Sequence, residues 1–173
     1  MNKLARTAPG AAVALALALL WAAPAAAAQP TRTVFDLSPF VRPAGTACAF
    51  AVAGEPSGGF VAETDFSDGS VLLSVRARGA YVNVDTGTRF STLDTYRDLS
   101  RFDPVTGIVV GVESGQGTWY FLSGEVGPFG VVQYPGAYYH FIGTVSYTYD
   151  TNANRSTRFA YTGTITDICA ALS

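Results

Sequence analysis

The chain contains a single histidine, His140, and this scarcity restricts the catalytic and metal chemistry available to it. A Ser-His-Asp site would need that one histidine as its base, with Ser146 a conceivable nucleophile, and the G-x-S-x-G nucleophile motif is absent from the sequence. Conceivable acid pairs are Glu63 with Asp65 and Glu113 with Glu125, but isolated acids are common on any β domain. We therefore predict no catalytic residue, no metal site and no cofactor.

Lysine is almost absent, since Lys3 is the only one in the chain. Residues 29–173 carry nine arginines against 13 acidic side chains, a net charge of −4 with histidine neutral. Arginines and aspartates are interleaved from Arg76 to Asp103. We interpret them as solvated strand faces, which predicts no nucleic-acid binding.

Only two cysteines are present, Cys48 and Cys169, and no C-x-x-C pair occurs. Two cysteines in an exported chain are most simply one disulfide. Because they lie near the two ends of the region with strand patterning, the bond predicts that the first and last strands are adjacent.

Long hydrophobic runs are missing after residue 28. The one that exists, residues 11–23, follows the basic residues Lys3 and Arg6 and precedes Pro24 and four alanines. This order is typical of a secretory signal peptide, residues 1–28, cleaved after Ala28. An uncleaved N-terminal anchor is the alternative. Export predicts a secreted or wall-associated protein with no stable membrane insertion after cleavage.

Helical periodicity is also missing, and the pattern that replaces it is alternation with a period of two. In residues 158–169, Phe159, Tyr161 and Ile165 share one face with Cys169, as in a half-buried strand. Glycine-containing turns are predicted at residues 54–59, 67–69, 85–87 and 103–107.

These patterns predict a proline-rich extended arm over residues 29–45 and one all-β domain over residues 46–173, with roughly eight to ten antiparallel strands. We favour a β-barrel, with a β-sandwich as the alternative, because the ends are expected to be adjacent and no edge-protecting device is evident. Gly143 lies within the longest predicted strand, where it would permit a bend in a curved sheet.

Aromatic residues are abundant and concentrated between residues 102 and 161. A small barrel can hold one ligand in its mouth. The residues predicted to line such a site are Trp119, Tyr120, Phe129, Tyr134, Tyr138, Tyr139 and His140. The alternative is that these rings form the core and the half-exposed strand faces.

The two cysteine-containing ends carry a resemblance. Residues 39–48 (Pro-Phe-Val-Arg-Pro-Ala-Gly-Thr-Ala-Cys) and residues 166–172 (Thr-Asp-Ile-Cys-Ala-Ala-Leu), with the exported N-terminus and evenly spaced hairpins between them, resemble a group of small secreted actinobacterial β-rich proteins of unknown function. The resemblance implies an extracellular or wall location and brings no activity with it.

Three classes of function remain open at this stage. The first is a binding or interaction module for an apolar small molecule, a glycan or a protein. The second is an enzyme of the cyclase or isomerase type that acts mainly through the shape of its pocket. The third, a membrane β-barrel, is disfavoured by the predicted disulfide between the ends.

Overall fold

The computed structural model describes residues 28–173 and shows an all-β chain. The predicted signal peptide, apart from Ala28, lies outside the described residues. The elements are β1 (Thr31–Phe35), β2 (Phe40–Arg42), β3 (Val52–Asp65), β4 (Ser70–Asn83), β5 (Arg89–Asp103), β6 (Ile108–Phe121), β7 (Val126–Gly127), β8 (Gly130–Val131), β9 (Ala137–Asp150), β10 (Arg155–Asp167) and one short helix, α1 (Ile168–Ala171).

Eight of the strands form one antiparallel sheet in the order β1-β3-β4-β5-β6-β9-β10, with β2 also paired to β3, and β7 and β8 form a separate hairpin. The predicted all-β, antiparallel architecture is therefore confirmed. The order is open: in residues 28–173 no pairing joins β10 to β1 or β2, which occupy the opposite edge. The first and last strands are thus not hydrogen-bonded neighbours, contrary to the expectation from the cysteines.

Tight turns connect the long strands where the sequence predicted them, at residues 67–69, 85–87 and 103–107. At the first of these, the backbone N–H and the hydroxyl of Ser70 both donate to Asp68 Oδ1, and Gly69 adopts φ +80°. A carboxylate that caps its own turn and a glycine in the left-handed region are the chemistry that such turns require. The hairpins are therefore encoded locally.

Residues 54–59 look like a further turn in the sequence, but they lie inside β3. The strand accommodates Pro56 through an irregularity between Pro56 and Gly58, opposite Gly79 of β4. A bulge permits proline within a sheet because the extra residue interrupts the ladder of hydrogen bonds. The bulge also explains how β4 stays a single strand through Gly79.

The proline-rich arm is extended, as expected, and it also pairs with the sheet. β1 aligns with residues 61–65 of β3, and β2 with residues 52–54. The guanidinium carbon of Arg42, in β2, lies 3.7 Å from the centroid of the Tyr120 ring. Backbone pairing and a cation–π contact thus hold the arm on the edge of the sheet.

The long strands give the sheet two distinct faces. The inner face carries Val75, Glu113, Val145 and Tyr147, all buried. The outer face carries the residues between them along each strand and is largely exposed, as at Ser146. Because side chains alternate along a strand, every residue of β4, β5, β6, β9 and β10 belongs to one face or the other.

The sheet divides at one end. Residues 95–103 of β5 pair with residues 108–116 of β6, and no pairing joins residues 89–94 to residues 117–121. A hydrophobic cluster fills the resulting wedge; its buried members are Ala47, Cys48, Val52, Tyr138, Ile168 and Leu172. The inner face of β3–β5 therefore packs at this end against the Tyr138 side of β9.

The predicted disulfide is confirmed: Cys48 bonds to Cys169, with a Cα–Cα distance of 5.5 Å. Cys169 lies in α1 rather than in the closing strand. The amide nitrogen Nδ2 of buried Asn83 donates to the carbonyl of Leu172 at 3.0 Å and holds the helix in the same cluster. Among residues 28–173 no helix is long and apolar enough to span a bilayer.

Candidate functional site

The aromatic residues predicted to line a ligand site do not converge, because they lie on both faces of β6 and β9. Trp119 and Tyr139 lie on the inner face, and Phe129 covers Tyr139 with 5.6 Å between ring centroids. Trp119 also packs edge-on against Phe159 at 5.4 Å. Trp119, Phe129 and Tyr139 are therefore part of the packing between the sheet and the β7–β8 hairpin.

Tyr120 and Tyr138 lie on the other face, where the cation of Arg42 stacks on Tyr120 and lies 6.0 Å from the Tyr138 ring centroid. These two rings hold the N-terminal arm. Tyr134, in the loop after β8, is 78% exposed and borders a surface cavity together with Phe129 and Tyr139.

His140 is the one member of the predicted set that lies beside a second titratable group. Its Nε2 is 3.6 Å from Asp94 Oδ1, and the side chains of the two residues are 12% and 15% exposed. Burial lowers the pKa of His140, so the ring is neutral near pH 7. Ser146 is six residues away along β9, roughly 20 Å, so no Ser-His-Asp site is assembled.

A pocket lies on the other side of Asp94, beneath the N-terminal arm. The cavity measures about 100 Å³ and is bounded by the arm, by β3 and β4 at the bulge, and by β5. Its lining includes Phe40, Gly54, Gly79, Tyr81 and Thr92, and three charged residues, Glu55, Arg78 and Asp94. A volume of this size holds about three water molecules or one small functional group.

Two glycines allow the walls of this pocket to lie close to the sheet. A Cβ added at Gly54 would collide with the ring of Phe40, and one added at Gly79 would approach the carbonyl oxygen of Glu55 to 2.7 Å. Glycine at these two positions lets the Phe40 ring and the bulged backbone come close to the sheet. The Phe40 and Tyr81 rings form aromatic walls, with centroids 6.3 Å apart.

Asp94 supplies the polar end of the pocket. Burial raises its pKa to about 6, and a hydrogen bond from Thr118 Oγ1 at 3.3 Å opposes that rise. The carboxylate is therefore ionised at pH 7.5 and largely protonated at pH 5. The arrangement is a desolvated negative charge at one end of an aromatic-walled cavity.

Two further acids, Asp98 and Glu113, lie deeper on the inner face and are directly opposed across β5 and β6. Asp98 accepts a hydrogen bond from the Tyr147 hydroxyl at 2.7 Å, and Glu113 accepts one from Trp119 Nε1 at 2.8 Å. Burial raises the pKa of both, that of Glu113 to about 8. Neither lines the pocket described above.

Glu113 and Glu125, which the sequence analysis considered as an acid pair, do not form a joint site. Glu125 accepts the backbone N–H groups of Leu122 and Ser156, at 2.6 and 2.8 Å, and so fixes the chain before β7 to the start of β10. In the part of the chain that the structure describes, no group of three or more His, Cys, Asp or Glu side chains is placed to hold a metal ion.

The sequence interpretation missed Asp94 because it counted charges without separating them by face. Asp94, Tyr96 and Asp98 alternate with Arg97 and Leu99, so the acids and the arginine point in opposite directions. A tyrosine between two aspartates on one face is the signal that could have identified a buried acidic row.

Comparisons with protein-family models, with curated proteins and with solved structures find no match to this chain. The chemistry of the pocket therefore rests on the geometry of its own side chains.

Proposed function

We propose that this chain is an exported β domain that binds a small ligand in the pocket beneath its N-terminal arm. The observation that carries the proposal is the ionised Asp94 carboxylate at the end of a cavity of about 100 Å³ walled by Phe40 and Tyr81. A concave site that combines apolar walls with a few charged groups, here Asp94 together with Glu55 and Arg78, is typical of small-molecule recognition. The disulfide supports export, because such bonds persist in oxidising compartments.

The ligand class that matches these walls is an amine or a quaternary ammonium group. A cation is attracted to aromatic faces within about 6 Å and to a partly buried carboxylate, and both kinds of group border this cavity. Neutral His140, behind Asp94, brings no positive charge that would repel such a ligand. The cavity admits the ammonium head only, so a larger ligand would leave the rest of its body outside.

The test is a titration with tetramethylammonium, followed through the amide NMR shifts of Gly79 and Thr92. We expect millimolar binding, since so small a ligand has few atoms to contribute. tert-Butanol, a neutral probe of similar shape, should bind at least about tenfold more weakly, a difference of about 1.4 kcal/mol. Affinity for the cation should fall from pH 7.5 to pH 5, because Asp94 becomes protonated with a pKa of about 6.

Variants identify the residues responsible. Asp94→Asn removes the charge, and Phe40→Leu removes one aromatic wall, and each should weaken cation binding at least about tenfold. Asp103→Asn, which neutralises an exposed carboxylate in the turn after β5, is the matched control and should bind as the wild type does. Equal affinity for tert-butanol, or shifts centred away from the pocket, would show that the proposal is wrong.

An enzyme of the cyclase or isomerase type is the second candidate, and the raised pKa of Asp94 favours it. A carboxyl group with a pKa of about 6 can exchange a proton near neutral pH, as a general acid or base must. Mass spectrometry and NMR of a bound compound, recovered after incubation, separate the two candidates. An unchanged compound supports binding alone, whereas an isomer of the same mass whose formation requires Asp94 supports catalysis.

We also propose that the sheet is rolled towards a barrel whose seam is closed by side chains instead of strand pairing. Support comes from the Cys48–Cys169 bond, which joins the chain near β2 to the chain after β10, and from the cluster around it. Hydrogen exchange tests the seam. The β10 amides that point away from β9 should exchange quickly, whereas slow exchange of every β10 amide would indicate a hydrogen-bonded barrel.

A further inference from the structure

Arginines and aspartates that are interleaved in the sequence of β5 lie on opposite faces of the sheet. Six exposed arginines of β1, β4 and β5 lie on the outer face. Arg89 and Arg101 are near the two ends of β5, and we call the other four the arginine face: Arg32, Arg76, Arg78 and Arg97. The aspartates between the β5 arginines, Asp94 and Asp98, lie on the inner face. A chain of net negative charge therefore presents a positive surface here.

These four cations have no carboxylate partner among the described residues. The ion pair formed by an arginine in this part of the sheet is Arg89 with Glu55, at 2.7 Å. Asp103, at the end of β5, accepts the backbone N–H of Val105 and the hydroxyl of Thr106 within its own turn. The arginine face is thus not neutralised within the chain.

The surface between these arginines is concave. A cleft of about 600 Å³ extends from β1 to β6, with Arg32 and Arg97 both in its lining. β1 and β5 are three strand spacings apart in the sheet, roughly 14 Å. The cleft is also lined by four residues with hydroxyl groups, Thr64, Ser74, Thr95 and Ser114, and by the aromatic residues Phe60 and Tyr96.

We propose that this cleft binds a linear acidic glycan, meaning a chain of sugar units bearing sulfate or carboxylate groups. Arg32 and Arg97 line the cleft, whereas Arg76 and Arg78 lie outside its lining on the same face. Arg76 and Arg78 are two residues apart on one strand, about 7 Å, and Arg97 is a diagonal neighbour of Arg76 at about 7 to 8 Å. A row of guanidinium groups at this interval fits a ligand with regularly repeated negative charge. The hydroxyl groups complement the ligand's own hydroxyl and ring oxygens.

Nucleic acid fits the same face less well. Single strands are bound on several aromatic rings that stack with successive bases. The lining of this cleft contains two aromatic residues, Phe60 and Tyr96, and Tyr96 belongs to the inner face of the sheet. Duplexes are read by an element that enters a groove, whereas the arginine face is part of a sheet. The observations therefore favour the glycan.

The test is calorimetric titration of the full chain with heparin as a sulfated glycan, polygalacturonate as a carboxylated one, and a single-stranded oligothymidylate. Both glycans should bind at about 50 mM salt and weaken steeply towards about 200 mM, because bound counterions are released. The oligothymidylate should bind at least about tenfold more weakly than either glycan. Oligothymidylate that binds as tightly as the glycans would overturn the proposal.

Matched double variants assign the binding to this face. Arg76→Gln with Arg97→Gln should weaken glycan binding about tenfold or more and lower the slope of log Kd against log salt by about two. Arg155→Gln with Arg158→Gln removes the same charge from the start of β10 and should leave binding within about twofold of the wild type. Equal losses in the two variants would show that net charge, not this cleft, determines binding. Asp94→Asn should not affect glycan binding, which separates this result from that of the pocket.

Discussion

Glu113 is the most buried acidic side chain among the described residues. It is 2% exposed, and burial together with the charges of Asp98 and Asp94 raises its pKa to about 8, although a hydrogen bond from Trp119 opposes this. Glu113 Oε1 and Asp98 Oδ1 are buried and accept no hydrogen bond in the described chain. A proton kept on this opposed pair at neutral pH accounts for their proximity, since two buried carboxylates would repel each other.

The pH dependence of stability tests this protonation. The folded pKa of Glu113 exceeds the unfolded one, so its contribution to stability is complete at low pH and is lost as pH rises through about 8. Between about pH 5 and about pH 7.5 Glu113 should therefore contribute a fall of about 1.4 kcal/mol per pH unit to the free energy of unfolding, in addition to the contributions of Asp94 and Asp98, whose pKa values burial also raises. Urea unfolding of Glu113→Gln should lack this slope, whereas Glu63→Gln, on the same face, should keep it. A Glu113→Gln variant with the wild-type slope would contradict the assignment.

The acids of β5 show what a sequence can and cannot predict about single residues. The alternation that assigns Asp94 and Asp98 to one face and Arg97 to the other is visible in the printed sequence. Which face becomes the interior is not, because that depends on how distant strands curl over one another. The identity of the inner face, and with it the pocket, emerges only from the fold.

Among the strands, β6, β9 and β10 share a line of glycines. Gly115 pairs with Gly143, and Gly143 pairs with Gly163, so the three lie side by side across the sheet. Their φ angles, +131°, +144° and +123°, are strained for other residues. A line of glycine kinks across adjacent strands lets a sheet bend sharply, as Gly143 alone suggested in the sequence.

Replacing Gly143 should therefore be costly. In Gly143→Ala the new Cβ would collide with the carbonyl oxygen of Thr162, in addition to the backbone strain. We expect a loss of about 3 kcal/mol or more in the free energy of unfolding. Gly69→Ala is the control, because Gly69 also has a positive φ but open space around it, and it should cost about 1 kcal/mol. Similar losses in both variants, measured in urea, would argue against a packed kink.

The strands themselves were predicted with uneven success, and the errors share a cause. The turns at residues 67–69 and 103–107 were predicted because an Asp and a Gly determine them locally. The bulge at Pro56 was mistaken for a turn, because a proline and three nearby glycines are typical of both. Pairing with β4 across the sheet decides between them, and no local pattern contains that information.

At the scale of the whole molecule, the covalent bond between Cys48 and Cys169 spans 121 residues. Closing so long a loop restricts the unfolded chain, which the chain-entropy model equates with about 4 to 5 kcal/mol of stability. The bond was predicted because two cysteines in an exported chain have one possible partner each. The open strand order was not predicted, because the cysteines could lie near each other in either an open or a closed sheet.

Removing the bond should lower stability substantially without changing the strand order. We expect Cys48→Ser with Cys169→Ser to lose about 2 to 5 kcal/mol in urea unfolding. A reducing agent should destabilise the wild type by a similar amount and leave the double variant unaffected. Equal stability of the wild type and the double variant under oxidising conditions would show that the disulfide does not contribute to the free energy of unfolding.

The same bond divides the chain into a closed loop and a tail. β3 to β10 lie between the two cysteines, while β1 and β2 lie outside. A protease that cuts any hairpin turn within the loop leaves a nicked molecule that is still one covalent piece. A cut between β2 and Cys48 instead leaves the segment that carries Phe40 held only by its strand pairing with β3 and by the contact of Arg42 with Tyr120. Dissociation of that segment would uncover the pocket while the rest of the protein stays one covalent piece.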